Sequence, residues 1–132
     1  MAKLHNTCAC GSGIDFESCC GRYISGMQQA PTAEKLMRSR YSAYVLGDEK
    51  YLLDTWHHST RPGALALQQD TSLKWIGLDI MVTANGLEND TEGTVEFVAR
   101  YKINGKAERL HEVSRFCKEQ GKWYYLDGDL KT

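Results

Sequence analysis

Four of the five cysteines of this 132-residue chain fall between positions 8 and 20. Cys8, Cys10, Cys19 and Cys20 form the pattern C-x-C-G-S-G-x5-C-C. Four thiolates so close in sequence suit the tetrahedral preference of Zn2+, with Zn–S bonds of ~2.3 Å. Gly11 and Gly13 are expected to let the backbone turn after the first ligand pair and aim N–H groups at the sulfurs, while Phe16 covers the small knuckle with apolar surface. Four cysteine ligands leave no open coordination position, so the metal would be structural. The alternatives are a redox pair at Cys19-Cys20, where a vicinal disulfide is strained, or simple packing.

A second set of residues points to a pocket. Arg40 lies on the apolar face of an amphipathic segment, and Glu112 and Ser114 alternate with Val113 along an extended one, so both can meet Arg40 in one apolar space. Two readings follow. Arg40 and Glu112 close the core as a buried ion pair, or they fix a polar ligand together with Tyr101 and Trp56. His57 is the candidate general base, because imidazole titrates near neutrality. His111 and Cys117 fall on the opposite face from Glu112.

The elements that must position these groups are legible. Thr32 is the N-cap of a helix that starts at Ala33 and ends near Gly47-Asp48, with Ala33, Leu36, Met37, Tyr41, Tyr44 and Val45 at helical spacing. A second helix is expected from Glu49 to about His57. Residues 58–71 read as a loop with a short helical turn at Ala64–Leu67. From Leu73 the period changes to two: Ile76, Leu78, Ile80 and Val82 form one face, and Val95, Phe97, Ala99, Tyr101 and Ile103 another. Asn104-Gly105 is a strong hairpin signal, joining that strand to one over Ala107–Lys118, and Gln120-Gly121 precedes a last strand over Lys122–Asp127. Helices followed by a meander of about four antiparallel strands define an α+β fold, a curved sheet packed by two or three helices.

Sixteen Lys and Arg against seventeen Asp and Glu give a net charge of -1, so no bulk positive field draws the chain to nucleic acid, and that partner class is not expected. No apolar run approaches the ~20 residues of a membrane span, and the N-terminal segment lacks the apolar core of a signal peptide. The expected location is the cytoplasm.

The cysteine pattern resembles the SEC-C motif, a small zinc knuckle that family members use to contact protein partners or the ribosome. In that motif the stretch after Gly-Ser-Gly is usually lysine-rich; here it holds Ile14, Asp15, Glu17 and Ser18. The segments Leu36–Tyr44, Thr55-Trp56-His57, Gly93–Phe97 and Glu112–Phe116 resemble those of the YchJ family, uncharacterised bacterial proteins that join a SEC-C knuckle to a nuclear transport factor 2-like (cystatin-like) domain. The resemblance implies a knuckle over residues 1–26 and an α+β domain over 27–132. It places recurring positions at Arg38, Arg40, Trp56, His57, Glu112, Ser114 and Arg115. The expected role is a zinc-binding adaptor with a small-ligand pocket, a protein partner on the knuckle, and homodimerisation open to it. The alternative is a small isomerase or hydrolase using His57 or Glu112 as base.

Overall fold

The computed structural model describes residues 7–65 and 73–131. The expected turn at Ala64–Leu67 lies partly outside them. Along the chain come a single 3-10 turn (Phe16–Ser18), helices α1 (Gly21–Ile24), α2 (Ala33–Leu46) and α3 (Glu49–Asp54), then strands β1 (Leu73–Asn85), β2 (Glu92–Ile103), β3 (Lys106–Glu119) and β4 (Lys122–Leu130). The strands make one antiparallel sheet in the order β1-β2-β3-β4. The fold is the expected α+β architecture of a few helices on a curved meander.

α2 begins where Thr32, in extended conformation, accepts a hydrogen bond on Oγ1 from the Lys35 N–H at 3.2 Å. It ends at Gly47, whose φ of 74° is open to glycine and whose N–H bonds back to the carbonyls of Ala43 and Tyr44. α3 is capped by the Asp48 carboxylate on the Tyr51 N–H at 3.1 Å. It stops at Asp54, three residues short of the expected end. From there the chain runs beside β4 through a parallel bridge of Trp56 to Tyr125: the His57 N–H donates to the Tyr125 carbonyl and the Tyr125 N–H to the Thr55 carbonyl, each at 2.8 Å.

β2 and β3 follow the alternation read from the sequence, β4 carries one extra residue at Leu126 against β3, and Asn104 and Gly105 take the paired positive φ values, 52° and 82°, of a tight hairpin. β1 departs from it. Register shifts between Trp75 and Gly77 and between Ile80 and Val82 each insert a residue. Ile76 and Val82 are therefore 49% and 56% exposed, although a regular strand would place them beside buried Leu78, and Trp75 turns towards the helices.

The core lies between α2 and the inner sheet face, built from Leu36, Met37 and Tyr41 on one side and Leu78, Val95, Phe97, Phe116 and Trp123 on the other. The indole N–H of Trp123 donates to the Pro31 carbonyl at 3.1 Å. The four clustered cysteines and Tyr23 belong to the same continuous core, so the N-terminal knuckle is packed into the α+β body.

Candidate metal centre and cavity

The knuckle closes locally. Thr7 and Asp15 form an antiparallel bridge, the Cys8 N–H donates to the Ile14 carbonyl at 2.8 Å, and the turn over Phe16–Ser18 delivers Cys19 and Cys20 beneath the first ligand pair. All four Sγ atoms lie within 4.8 Å of one another; Cys10 to Cys19 is 3.7 Å and Cys19 to Cys20 is 4.0 Å. A tetrahedron with Zn–S bonds of ~2.3 Å has sulfur–sulfur edges of about 3.8 Å. The donor set and its spacing therefore fit a tetrahedral thiophilic metal ion.

Among the described residues, support for the sulfurs comes from the Cys10 amide and from side chains rather than from the glycine amides expected. The Gly11 N–H donates to the Cys8 carbonyl, while the Ser12 and Ser42 hydroxyls stand 3.1 Å from Cys19 Sγ and 3.4 Å from Cys8 Sγ. Arg38 Nη1 donates to the Cys10 carbonyl at 2.8 Å and lies 4.0 Å from Cys10 Sγ; its Nε pairs with Glu34 at 3.0 Å. Ser42 and Arg38 belong to α2, so part of the surroundings of the thiols lies outside the cysteine motif.

Crowding sets the proton affinities apart. Hydrogen bonds from Cys10 and then Cys20 hold the Cys8 thiol far below its ordinary value. Cys20 is pushed up by its bonds to Cys10 and Cys8 and by burial. For Cys10 the Cys20 bond acts downward, but Cys8 and burial outweigh it and the net shift is up. Without a cation, four adjacent thiolates repel one another.

The second feature is a cavity of about 220 Å3 between α2 and the sheet. Met37, Arg40, Tyr41 and Tyr44 line it from α2, Trp75 from β1, Phe97 and Ala99 from β2, Leu110, Glu112 and Ser114 from β3, and Tyr125 from β4. Arg40 is buried. Its Nη1 donates to the Leu52 carbonyl at 2.8 Å and to Thr55 Oγ1 at 2.7 Å, and its guanidinium carbon lies 4.6 Å from the Tyr125 ring centre and 5.1 Å from that of Trp56. Glu112 Oε2 accepts from the Ser114 hydroxyl at 2.8 Å and from the Tyr125 hydroxyl at 3.3 Å. Gly128 on β4 leaves room for that carboxylate, which a Cβ there would strike. Burial and then the Glu112 charge raise the Tyr125 phenol, and burial lowers Arg40.

The expected pocket residues divide. Arg40, Glu112 and Ser114 line the cavity together, and among the described residues no ion pair joins Arg40 to Glu112. Trp56 stands behind the wall, edge-on to Tyr125 at 4.9 Å, and Tyr101 packs on Trp75 at 5.4 Å. His57 lies elsewhere. Because α3 ends at Asp54 and Trp56 forms a parallel β-bridge with Tyr125 instead of continuing the helix, Trp56 and His57 point to opposite sides, and His57 Nε2 meets Glu119 at 3.0 Å. It is not positioned as a base for this cavity. His57, His58 and Glu119 are close enough for a metal ion, but the Ser59 N–H donates to His57 Nδ1 at 3.1 Å. His57 Nδ1 also lies 2.7 Å from the Ser59 hydroxyl, so both ring nitrogens of His57 already have protein partners. His111 pairs with Glu96 at 2.7 Å, on the opposite face from Glu112 as alternation requires.

Sequence reasoning missed Tyr44, Trp75 and Tyr125 as walls. Tyr44 carried a usable signal, one helical turn from Arg40 on the same face. Trp75 did not, because its inward turn depends on the first bulge.

A knuckle of four clustered cysteines packed onto a few helices and a four-stranded meander defines a SEC-C motif protein with a nuclear transport factor 2-like domain. Residues 32–128 match the family model described as "YchJ, middle NTF2-like domain". The chain is 58% identical over 123 residues to a UPF0225 protein of Chromobacterium violaceum, covering 92% of this chain and 90% of that one. It is 52% identical over 126 residues to a UPF0225 protein of Bordetella pertussis, with coverage of 94% and 92%. A SEC-C motif containing protein from Rhodopseudomonas palustris, solved in solution, superposes with a TM-score of 0.84 at 31% identity, covering 96% of this chain and 99% of the other. The crystal structure of one from Psychrobacter arcticus gives 0.76 at 27%, covering 96% and 83%. The chain belongs to the YchJ (UPF0225) family.

Proposed function

We propose that this chain is a zinc-braced binding protein: Cys8, Cys10, Cys19 and Cys20 hold a structural Zn2+, and the cone cavity takes a small ligand. The observation that carries the ligand reading is a buried arginine and a carboxylate facing one cavity without pairing. A core ion pair with no other duty would be expected to close, since leaving buried charges apart is costly. Zinc would supply charge balance for the thiolates and a rigid cross-link between the Cys8–Cys10 and Cys19–Cys20 ends of the knuckle, with no open position for a substrate. The knuckle side is the proposed docking face for a protein partner, with Ile14 48% exposed beside a groove of about 420 Å3 lined in part by Arg22, Lys35 and Arg38.

The test is an Ala99→Leu variant, which places extra volume at the cavity wall. Fragment binding to the wild type, followed by amide chemical-shift changes at Tyr44 and Trp75, is expected to disappear in the variant while its zinc content stays at one ion per chain. Binding that survives cavity filling refutes the assignment.

A further inference from the structure

The charges around the cavity select what can enter it, an inference that rests on the ligand-binding reading above. Arg40 is 3% exposed, and its hydrogen bonds engage Nη1 alone; Nε and Nη2 have no partner among the described residues. Glu112 uses Oε2 for both of its hydroxyl donors, and Oε1 has none among the described residues. The cavity thus presents unpaired donors on one side and an unpaired acceptor on another. An anion would satisfy Arg40 but face the Glu112 carboxylate in a poorly screened space. A cation would reverse the conflict. A neutral group with a carbonyl oxygen and an N–H meets both demands, because each charged side chain is matched by a dipole of the right sense.

The walls and the size narrow the class further. Tyr41, Tyr44, Trp75 and Tyr125 offer aromatic surface, which favours a planar ring packed face-on or edge-on. At about 220 Å3 the space is below the ~300 Å3 at which drug-sized sites begin, so the occupant is fragment-sized. We propose that the cavity binds a small, neutral, planar amide or lactam, its carbonyl oxygen on the free N–H groups of Arg40 and its N–H on Glu112 Oε1.

Three probes of matched shape separate the possibilities: benzamide, benzoate and benzylammonium, titrated at pH 7 into the full zinc-loaded chain and followed by amide and indole chemical shifts. Benzamide is expected to bind at least ~10-fold more tightly than either charged probe, with shifts centred on Tyr44, Trp75 and Ser114. Glu112→Gln removes the negative charge and is expected to raise the benzoate-to-benzamide affinity ratio by ~10-fold or more. A wild-type preference for benzoate or benzylammonium overturns the ligand class while leaving the pocket standing. An unchanged ratio in a folded Glu112→Gln protein overturns it too. If none of the probes moves cavity signals at millimolar concentration, the pocket reading falls, and this inference with it. The wild-type ranking decides the matter even where the variant does not fold.

Discussion

Replacing Cys10 with Ser is expected to destabilise the whole chain as one unit, not the knuckle alone. Cys10 is fully buried, lies 3.7 Å from Cys19, and its carbonyl holds Arg38 of α2. Its sulfur shares one core with Leu36, Leu78 and Val95. A structural zinc in a small cysteine-ligated module contributes ~10–16 kcal/mol to folding at neutral pH, as large as the ~5–15 kcal/mol net stability of an ordinary domain. Losing one of four ligands, and with it most of the metal affinity, removes at least ~5 kcal/mol by that comparison. For a chain of this size each kilocalorie moves the midpoint by roughly 3–6 °C, so the melt should fall by about 15–30 °C. The assay is thermal denaturation read by far-ultraviolet circular dichroism and by tryptophan fluorescence, since Trp123 sits in the core of the α+β body. Coincident transitions at a lowered midpoint are expected, and chelation of the wild type should reproduce them. A sheet signal that keeps its original midpoint, with only a small early loss of amplitude, would refute the idea that the knuckle is structurally continuous with the rest.

Thr32→Ala removes the hydroxyl that caps α2 and should cost about 1 kcal/mol in urea denaturation, restored by Thr32→Ser. The hydrogen bond from His57 and the charges of His57 and His58 hold the Glu119 carboxyl below its usual 4.5, and Arg115 does the same to Asp129 relative to 3.8. Folded-state values depressed in this way add stability above the unfolded pKa that is lost as pH falls through the folded one, so the acid limb should begin near pH 4.5, and Glu119→Gln should flatten its upper part in pH-dependent melts. Trp56 Nε1 is buried with no hydrogen-bond partner among the described residues. Trp56→Phe keeps a ring beside Arg40 while deleting an unsatisfied donor worth ~1–3 kcal/mol, so its net effect on stability should stay within about 1.5 kcal/mol. A loss of 3 kcal/mol or more would show that the indole N–H is bonded in solution.

The features legible in the sequence were those carried by local chemistry. Thr32 and Gly47 mark both ends of α2, Asn104-Gly105 fixes the β2–β3 hairpin, and simple alternation puts Glu112 and Ser114 on the face that Arg40 approaches. The cysteine spacing needs no tertiary information to suggest a metal. What escaped depends on distant parts of the chain. The bulges in β1 arise from its pairing with β2, and they alone turn Trp75 inward and expose Ile76 and Val82. The length of α3 is settled by competition: Thr55–His57 gains backbone bonds to β4, and that exchange carries His57 away from the cavity. Nothing in the cysteine motif indicates that Arg38 and Ser42, far along the chain, stand against its sulfurs.

The two edges of the sheet are treated differently, and this bears on solubility. Long open edges recruit further strands and so seed aggregation. The β4 edge is partly occupied by Thr55–His57, whose backbone bonds to Tyr125 satisfy groups that another chain would otherwise find. The β1 edge pairs with no further strand among the described residues, and it exposes Ile76, Met81 and Val82. Here the two bulges break the regular register a neighbouring chain would need, and charged Lys74 and Asp79 punctuate the run. The irregularity that turns Trp75 into the cavity wall thus also guards this edge against amyloid-like stacking. Mutations that straighten β1 would therefore be expected to damage the cavity and to promote aggregation together.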